Sequence, residues 1–135
     1  MLSKHFSLKE ALYLPSWNRE ATEADGLDDA VRANLKDLFS KLDSIREFFN
    51  KPIHVHVAFR PKAYNAQIGG AKNSAHLSGR AVDFHVQGIE CDEARKMILD
   101  ANMLEKLGLR MECLPGSAWI HLDTAEPKPN RYFKP

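Results

Sequence analysis

The chain has 135 residues, 44% of them hydrophobic and 27% charged, the balance of a globular protein large enough for one well-formed core. Its net charge of +1 creates no field favouring nucleic acid or an anionic membrane surface, and no run of about 18 apolar residues offers a membrane span. Cys91 and Cys113 stand apart and read as buried free thiols, and the opening MLSKHFSLKE lacks the apolar segment of a signal peptide, so synthesis in the cytoplasm is expected.

Ser7-Leu8-Lys9-Glu10 has the form of a capping box and predicts a short helix that Pro15 limits. Residues 16–27 are polar and predict irregular chain ending at Gly26. A long helix is expected from Asp28 to Phe49. Val31, Leu35, Leu38, Leu42, Ile45 and Phe48 or Phe49 recur in steps of three and four and form one buried stripe. The charges of residues 28–47 then form its solvated face, and Asn50-Lys51-Pro52 ends it.

Ile53 to Arg60 alternates strictly and predicts a strand. Residues 61–80, rich in Gly, Asn, Ser and Pro, predict a loop of a length that is usually functional or disordered. Ala81 to Val86 reads as a second strand. Asp92 can cap a helix running to about Leu104. Leu109–Leu114 and Ala118–Leu122 read as a hairpin joined by Pro115-Gly116-Ser117. The tail, with Pro127, Pro129 and Pro135, is expected to be irregular. Residues 1–135 form a single expected domain.

The alternation has a chemical consequence. One face of each strand is apolar, and the other gathers His54, His56, Arg60, Asp83, His85, Glu112, His121 and Asp123. An antiparallel sheet with helices on its apolar side would place that polar set together on the opposite side, an α+β arrangement. Within it, Ser74-Ala75-His76-Leu77-Ser78-Gly79-Arg80-Ala81-Val82-Asp83 sets His76 and Asp83 seven residues apart around a glycine. Trp119-Ile120-His121-Leu122-Asp123 adds a second imidazole. Two imidazoles and a carboxylate make a three-ligand set that leaves a fourth zinc position for water. His54 and His56 read as structural or cleft-lining residues, and His85 either touches the site or lies at the surface.

The Ser-x-His-x-x-Gly-x-Ala-x-Asp pattern of residues 74–83 resembles the zinc D-alanyl-D-alanine carboxypeptidase family, which includes dipeptidases and phage or bacterial cell-wall endopeptidases and shares its fold with the Hedgehog signalling domain. The resemblance extends through Phe59-Arg60-Pro61, Tyr64-Asn65 and Gly69-Gly70 upstream, through residues 119–123 downstream, and to the opening His5-Phe6-Ser7-Leu8-Lys9-Glu10. It implies a small antiparallel sheet with helices on one face and a zinc site on the other. His76, Asp83 and His121 would be the Zn²⁺ ligands. Ser74 would steady the first ligand or the substrate, and Arg60 would stabilise an oxyanion or hold a substrate carboxylate. Tyr64 and Trp119 would wall the cleft. Relatives that place a carboxylate three residues before the last histidine have no counterpart here, because that position is Ala118. Glu112 is therefore the expected general base. Asp123 is the runner-up, or a group that orients a ligand. The implied partner is a peptidoglycan stem peptide, cut by a monomeric, endolysin-like enzyme with no nucleic-acid or membrane partner. A zinc-binding but catalytically silent recognition domain is the alternative.

Overall fold

The computed structural model describes residues 1–126 and 130–134. Ser7 Oγ accepts from the Glu10 N–H at 3.2 Å and the Glu10 carboxylate accepts from the Ser7 N–H at 3.0 Å, so the capping box starts α1 (Leu8–Leu12). The next residues depart from expectation: β1 (Tyr13–Leu14), ahead of Pro15, pairs antiparallel with β2 (Arg19–Glu20), which lies inside the stretch expected to be irregular. Strands of two residues are too short to display an alternation, which is why the sequence hides them.

Asp28 accepts from the Val31 N–H and caps α2 (Asp29–Phe49), and Asn50 ends it in the left-handed region at φ 52°. Phe39 joins the expected stripe, and Phe49 rather than the exposed Phe48 completes it. Asp43 corrects the idea of a uniformly solvated charged face. It is buried and accepts from Ser3 Oγ at 2.9 Å and from the Lys4 and His5 N–H groups at 3.0 Å each, tying the N-terminal segment to α2.

β3 (Ile53–Val57) is shorter than the alternation suggested. A bulge between Val55 and Val57 bends it, and the chain leaves the sheet at Ala58. The expected loop beyond it contains α3 (Lys62–Gln67) and a 3₁₀ turn at Ala75–Ser78. β4 (Ala81–Val86) has its expected bounds. α4 (Cys91–Asp100) begins before Asp92, whose carboxylate is taken by the Gly116 N–H at 2.9 Å and by Arg95 instead of capping the helix. Asn102, at φ 56°, separates it from α5 (Met103–Leu107). β5 (Arg110–Glu112) and β6 (Ile120–Asp123) form the expected hairpin. In the tail, β7 (Tyr132–Phe133) is ordered as a strand, while Pro127, Pro129 and Pro135 lie outside the described residues.

The main sheet runs β3-β4-β6-β5-β7. Its pairs are antiparallel except β5 with β7, which is parallel and so corrects the wholly antiparallel expectation. Helices α2 and α4 pack against β4, burying Val82, Phe84 and Val86 with Leu35, Leu38, Phe39, Leu42, Ala94 and Ile98 in one core. Each fully buried large apolar side chain there contributes about 1.5–3 kcal/mol. The fold is thus α+β, with helices over the apolar side of the sheet and the polar set on the other.

Candidate metal centre and cleft

Sheet register builds the centre. Asp83 on β4 is the direct cross-strand partner of His121 on β6, so pleating turns both side chains to one face. His76 arrives from the 3₁₀ turn. Gly79 then reverses the chain into β4 at φ +74°, and a Cβ there would meet the backbone oxygen and side chain of Val31 at 3.0 Å. A glycine is required on both counts. Asn34 on α2 donates to the Ser78 carbonyl at 2.9 Å, and the Arg60 N–H donates to the His76 carbonyl at 3.0 Å, so the turn is pinned from two sides.

His76, Asp83 and His121 are all buried, and their donor atoms lie within 4.8 Å of one another. Asp83 Oδ1 sits 3.2 Å from His76 Nε2 and 3.0 Å from His121 Nδ1. The edge of a tetrahedral zinc site with bonds of about 2.0–2.1 Å is about 3.3 Å, so little movement is needed to close these atoms on an ion. The outward ring nitrogens are already occupied: His76 Nδ1 donates to the Ala58 carbonyl at 2.6 Å, and His121 Nε2 donates to Asp123 Oδ2 at 2.8 Å. Those bonds fix the tautomers that leave Nε2 of His76 and Nδ1 of His121 as free donors, as outer partners of metal-binding histidines do. The donor set fits zinc.

Electrostatics point the same way. Burial pushes the Asp83 carboxyl up, but hydrogen bonds to His121 and His76 overcome it and hold the group well below the usual carboxylate range. Burial alone would lower His121, yet its hydrogen bonds to Asp123 and Asp83 raise it to about 9. Three buried groups thus sit in a field that strongly favours a cation, which the His121 proton satisfies when no metal is bound.

A cleft of about 400 Å³ opens above the triad, lined also by Arg60, Gly70, Ser74, Glu112 and Trp119. Glu112 Oε2 lies 3.9 Å from His121 Nδ1. Arg60 reaches the cleft by a route the alternation did not foresee, since it stands three residues past the end of β3. Its Nη2 donates to Asp83 Oδ2 at 3.2 Å and its Nη1 to Asn65 Oδ1 at 3.4 Å, while its buried Nε has no partner. Ser74 Oγ accepts from the His76 N–H at 3.2 Å. Trp119 is 43% exposed at the rim.

Other expected residues lie elsewhere. Tyr64 is buried away from the cleft, its hydroxyl accepting from the Ser16 N–H at 3.2 Å and its ring packed edge-on against Trp17. It is a packing residue, a correction to its expected place in the cleft wall. Asp123 is completely buried beneath His121. It also accepts from Arg110 at 2.7 and 2.9 Å and from the Ala125 N–H at 3.1 Å. His54, His56 and His85 form a separate group farther along the sheet.

Three contributors escaped the sequence reading. Arg110 lies directly across from Asp123 in the hairpin, a pairing that strand register could have suggested. Phe133 on β7 covers the Arg110 guanidinium at 4.0 Å, and nothing in a proline-rich tail signals that. Asn65 is buried and donates to the Ala71 carbonyl at 2.9 Å, holding the Gly69-Gly70-Ala71 wall beside Arg60.

No curated protein matches the chain. A family model described as Peptidase M15 matches residues 5–123, a span that takes in the capping box, the pinned turn, all three donor residues and Glu112. The chain belongs to the peptidase M15 family.

Proposed function

We propose that this protein is a monomeric zinc peptidase of the cell wall that hydrolyses peptide bonds in peptidoglycan stem peptides, as a D-alanyl-D-alanine carboxypeptidase or endopeptidase. One observation carries the reading: three buried donors with fixed tautomers converge on the floor of a cleft in which a separate carboxylate, Glu112, stands 3.9 Å from His121. His76, Asp83 and His121 would hold a zinc ion, which would supply Lewis acidity and lower the pKa of a water into the neutral range.

The chain's own groups do the rest. Glu112 takes a proton from the water that adds to the peptide carbonyl, then returns it to the nitrogen as the C–N bond breaks. Arg60 holds Asp83 Oδ2, which keeps Oδ1 turned toward the imidazoles, and its guanidinium lines the cleft as fixed positive charge for the developing oxyanion or a substrate carboxylate. Ser74 steadies His76 through the backbone and has its hydroxyl proton free for the peptide. Trp119 offers an apolar rim for the stem peptide. Asp123 serves as the outer partner of His121, because its oxygens are enclosed and already engaged by four donors.

The test is Glu112→Gln, which keeps size and polarity and removes the proton acceptor. Zinc content should stay at the wild-type level while turnover of a stem-peptide substrate falls about 10²–10⁴-fold. Normal turnover in this variant would remove Glu112 from the mechanism.

A further inference from the structure

Of the four histidines with no part in the chemistry above, three stand together on the sheet. His54 and His85 are cross-strand partners on β3 and β4, with rings stacked at 4.8 Å and 20°. His56, two residues beyond His54, shares its face of the sheet. The His56 ring stands 4.9 Å from that of His85, and its Nε2 lies 2.7 Å from His85 Nδ1. The His54 Nε2 is tied to Gln87 Oε1 at 3.1 Å. His54 and His56 are exposed, and β3 is the edge strand, so the group opens to solvent. Core packing does not account for three imidazoles gathered at an exposed edge. Like groups set opposite one another on neighbouring strands repel when charged.

We propose that His56 Nε2 and His85 Nδ1 form a second, surface metal site for borderline divalent cations such as Ni²⁺, Cu²⁺ and Zn²⁺, with His54 stacked behind His85 to hold its ring. Neighbouring donors on such an ion stand about 2.9–3.4 Å apart for bonds of about 2.0–2.1 Å. The pair needs to open by only a few tenths of an ångström, which side chains at an exposed edge accommodate. An all-imidazole set selects this class of ion over Mg²⁺ and Ca²⁺, which take oxygen ligands. The site shares no ligand with the first centre, since Asp83 and His85 are two residues apart on one strand, about 6.6 Å. Both can therefore be filled together.

Ni²⁺ titration by calorimetry tests this on the wild type, His76→Ala, His56→Ala and His56→Gln, with melting temperatures confirming folding. Wild type should bind one more Ni²⁺ per chain than either His56 variant, or bind it more than about tenfold more tightly, a loss at least as large as that of an outer metal partner. His76→Ala, impaired at the first centre, should keep the His56-dependent nickel. Equal nickel binding by the wild type and both His56 variants would overturn the proposal, as would its disappearance in a folded His76→Ala.

Discussion

Replacing Asp123 by Asn separates two roles that a carboxylate beside a metal ligand can play. Asp123 accepts four hydrogen bonds: one from His121 Nε2 at 2.8 Å, two from Arg110 at 2.7 and 2.9 Å and one from the Ala125 N–H at 3.1 Å. An Asn in that place has one accepting oxygen, and its amide N–H₂ must face either Arg110 or His121, both donors. Turned toward His121, the amide drives the ring proton to Nδ1, the nitrogen that faces Asp83 and the centre. Loss of an outer partner of this kind typically weakens metal binding about 10–100-fold, or about 1.4–2.7 kcal/mol. Weakening the charged bonds to Arg110 should also lower the folding stability by about 1.5–3 kcal/mol. A competition titration against a chromophoric zinc chelator reads the affinity, and kcat/KM at saturating zinc reads the chemistry. The expected result is weak zinc binding with activity restored to within about tenfold once the centre is filled, because Asp123 does not line the cleft. Undiminished zinc affinity combined with a 10²–10⁴-fold loss of kcat at full occupancy would refute the argument and make Asp123 the base.

Stability of the metal-free protein should depend on pH in a way zinc reverses. His121 is raised from 6.5 to about 9, so its protonated form is favoured by folding; that contribution, about 3 kcal/mol, is complete below pH 6.5 and lost as pH rises through 9. Asp83 and Asp123 are depressed below 3.8, so their contributions are complete above that value and lost in stronger acid. Thermal melts in chelator should therefore be highest between about pH 4 and 6.5. Stabilisation by zinc should grow from pH 6.5 to 9, because the metal takes the place of the His121 proton; a metal-free protein equally stable across that window would contradict this. A second prediction concerns Gly70, where an added Cβ would lie 2.0 Å from Asn65 Oδ1. Gly70→Ala should push Asn65 off Arg60 and the Ala71 carbonyl, leave zinc content intact and lower kcat/KM by about tenfold or more, as misplacement of a positioning group does. Unchanged kinetics would show that Asn65 does not set the Arg60 guanidinium.

Periodicity made α2 and β4 legible, since each presents an uninterrupted apolar stripe to the same core. The likeness to a zinc peptidase family singled out His76, Asp83 and His121, and sheet register explains why they meet: cross-strand pairing joins Asp83 to His121 whatever the loops do. Arg60 shows where alternation stops being informative. A bulge at Val55–Val57 ends the strand early, so the residue enters the cleft through its contacts with Asp83 and Asn65 and not by pleating. The same bulge lies beside His56, and the expected single polar surface divides into the buried triad and an exposed histidine group. Asp43 and Asp92 were misread because a carboxylate's partner was distant in sequence: the N-terminal backbone for one, the Gly116 N–H for the other. Tyr64 sits within a stretch that resembles family motifs yet packs on Trp17, so a motif's neighbourhood does not place every side chain in the site.

Digestion of purified peptidoglycan, followed by mass spectrometry of the released fragments, tests the central claim most directly. The zinc-loaded protein should release stem peptides or D-alanine with new carboxyl ends. Chelator should abolish that release, added zinc should restore it, and Glu112→Gln should show none above background. Continued release from fully zinc-stripped protein, or none from a folded protein whose His76–Asp83–His121 centre is filled with zinc, would contradict the account.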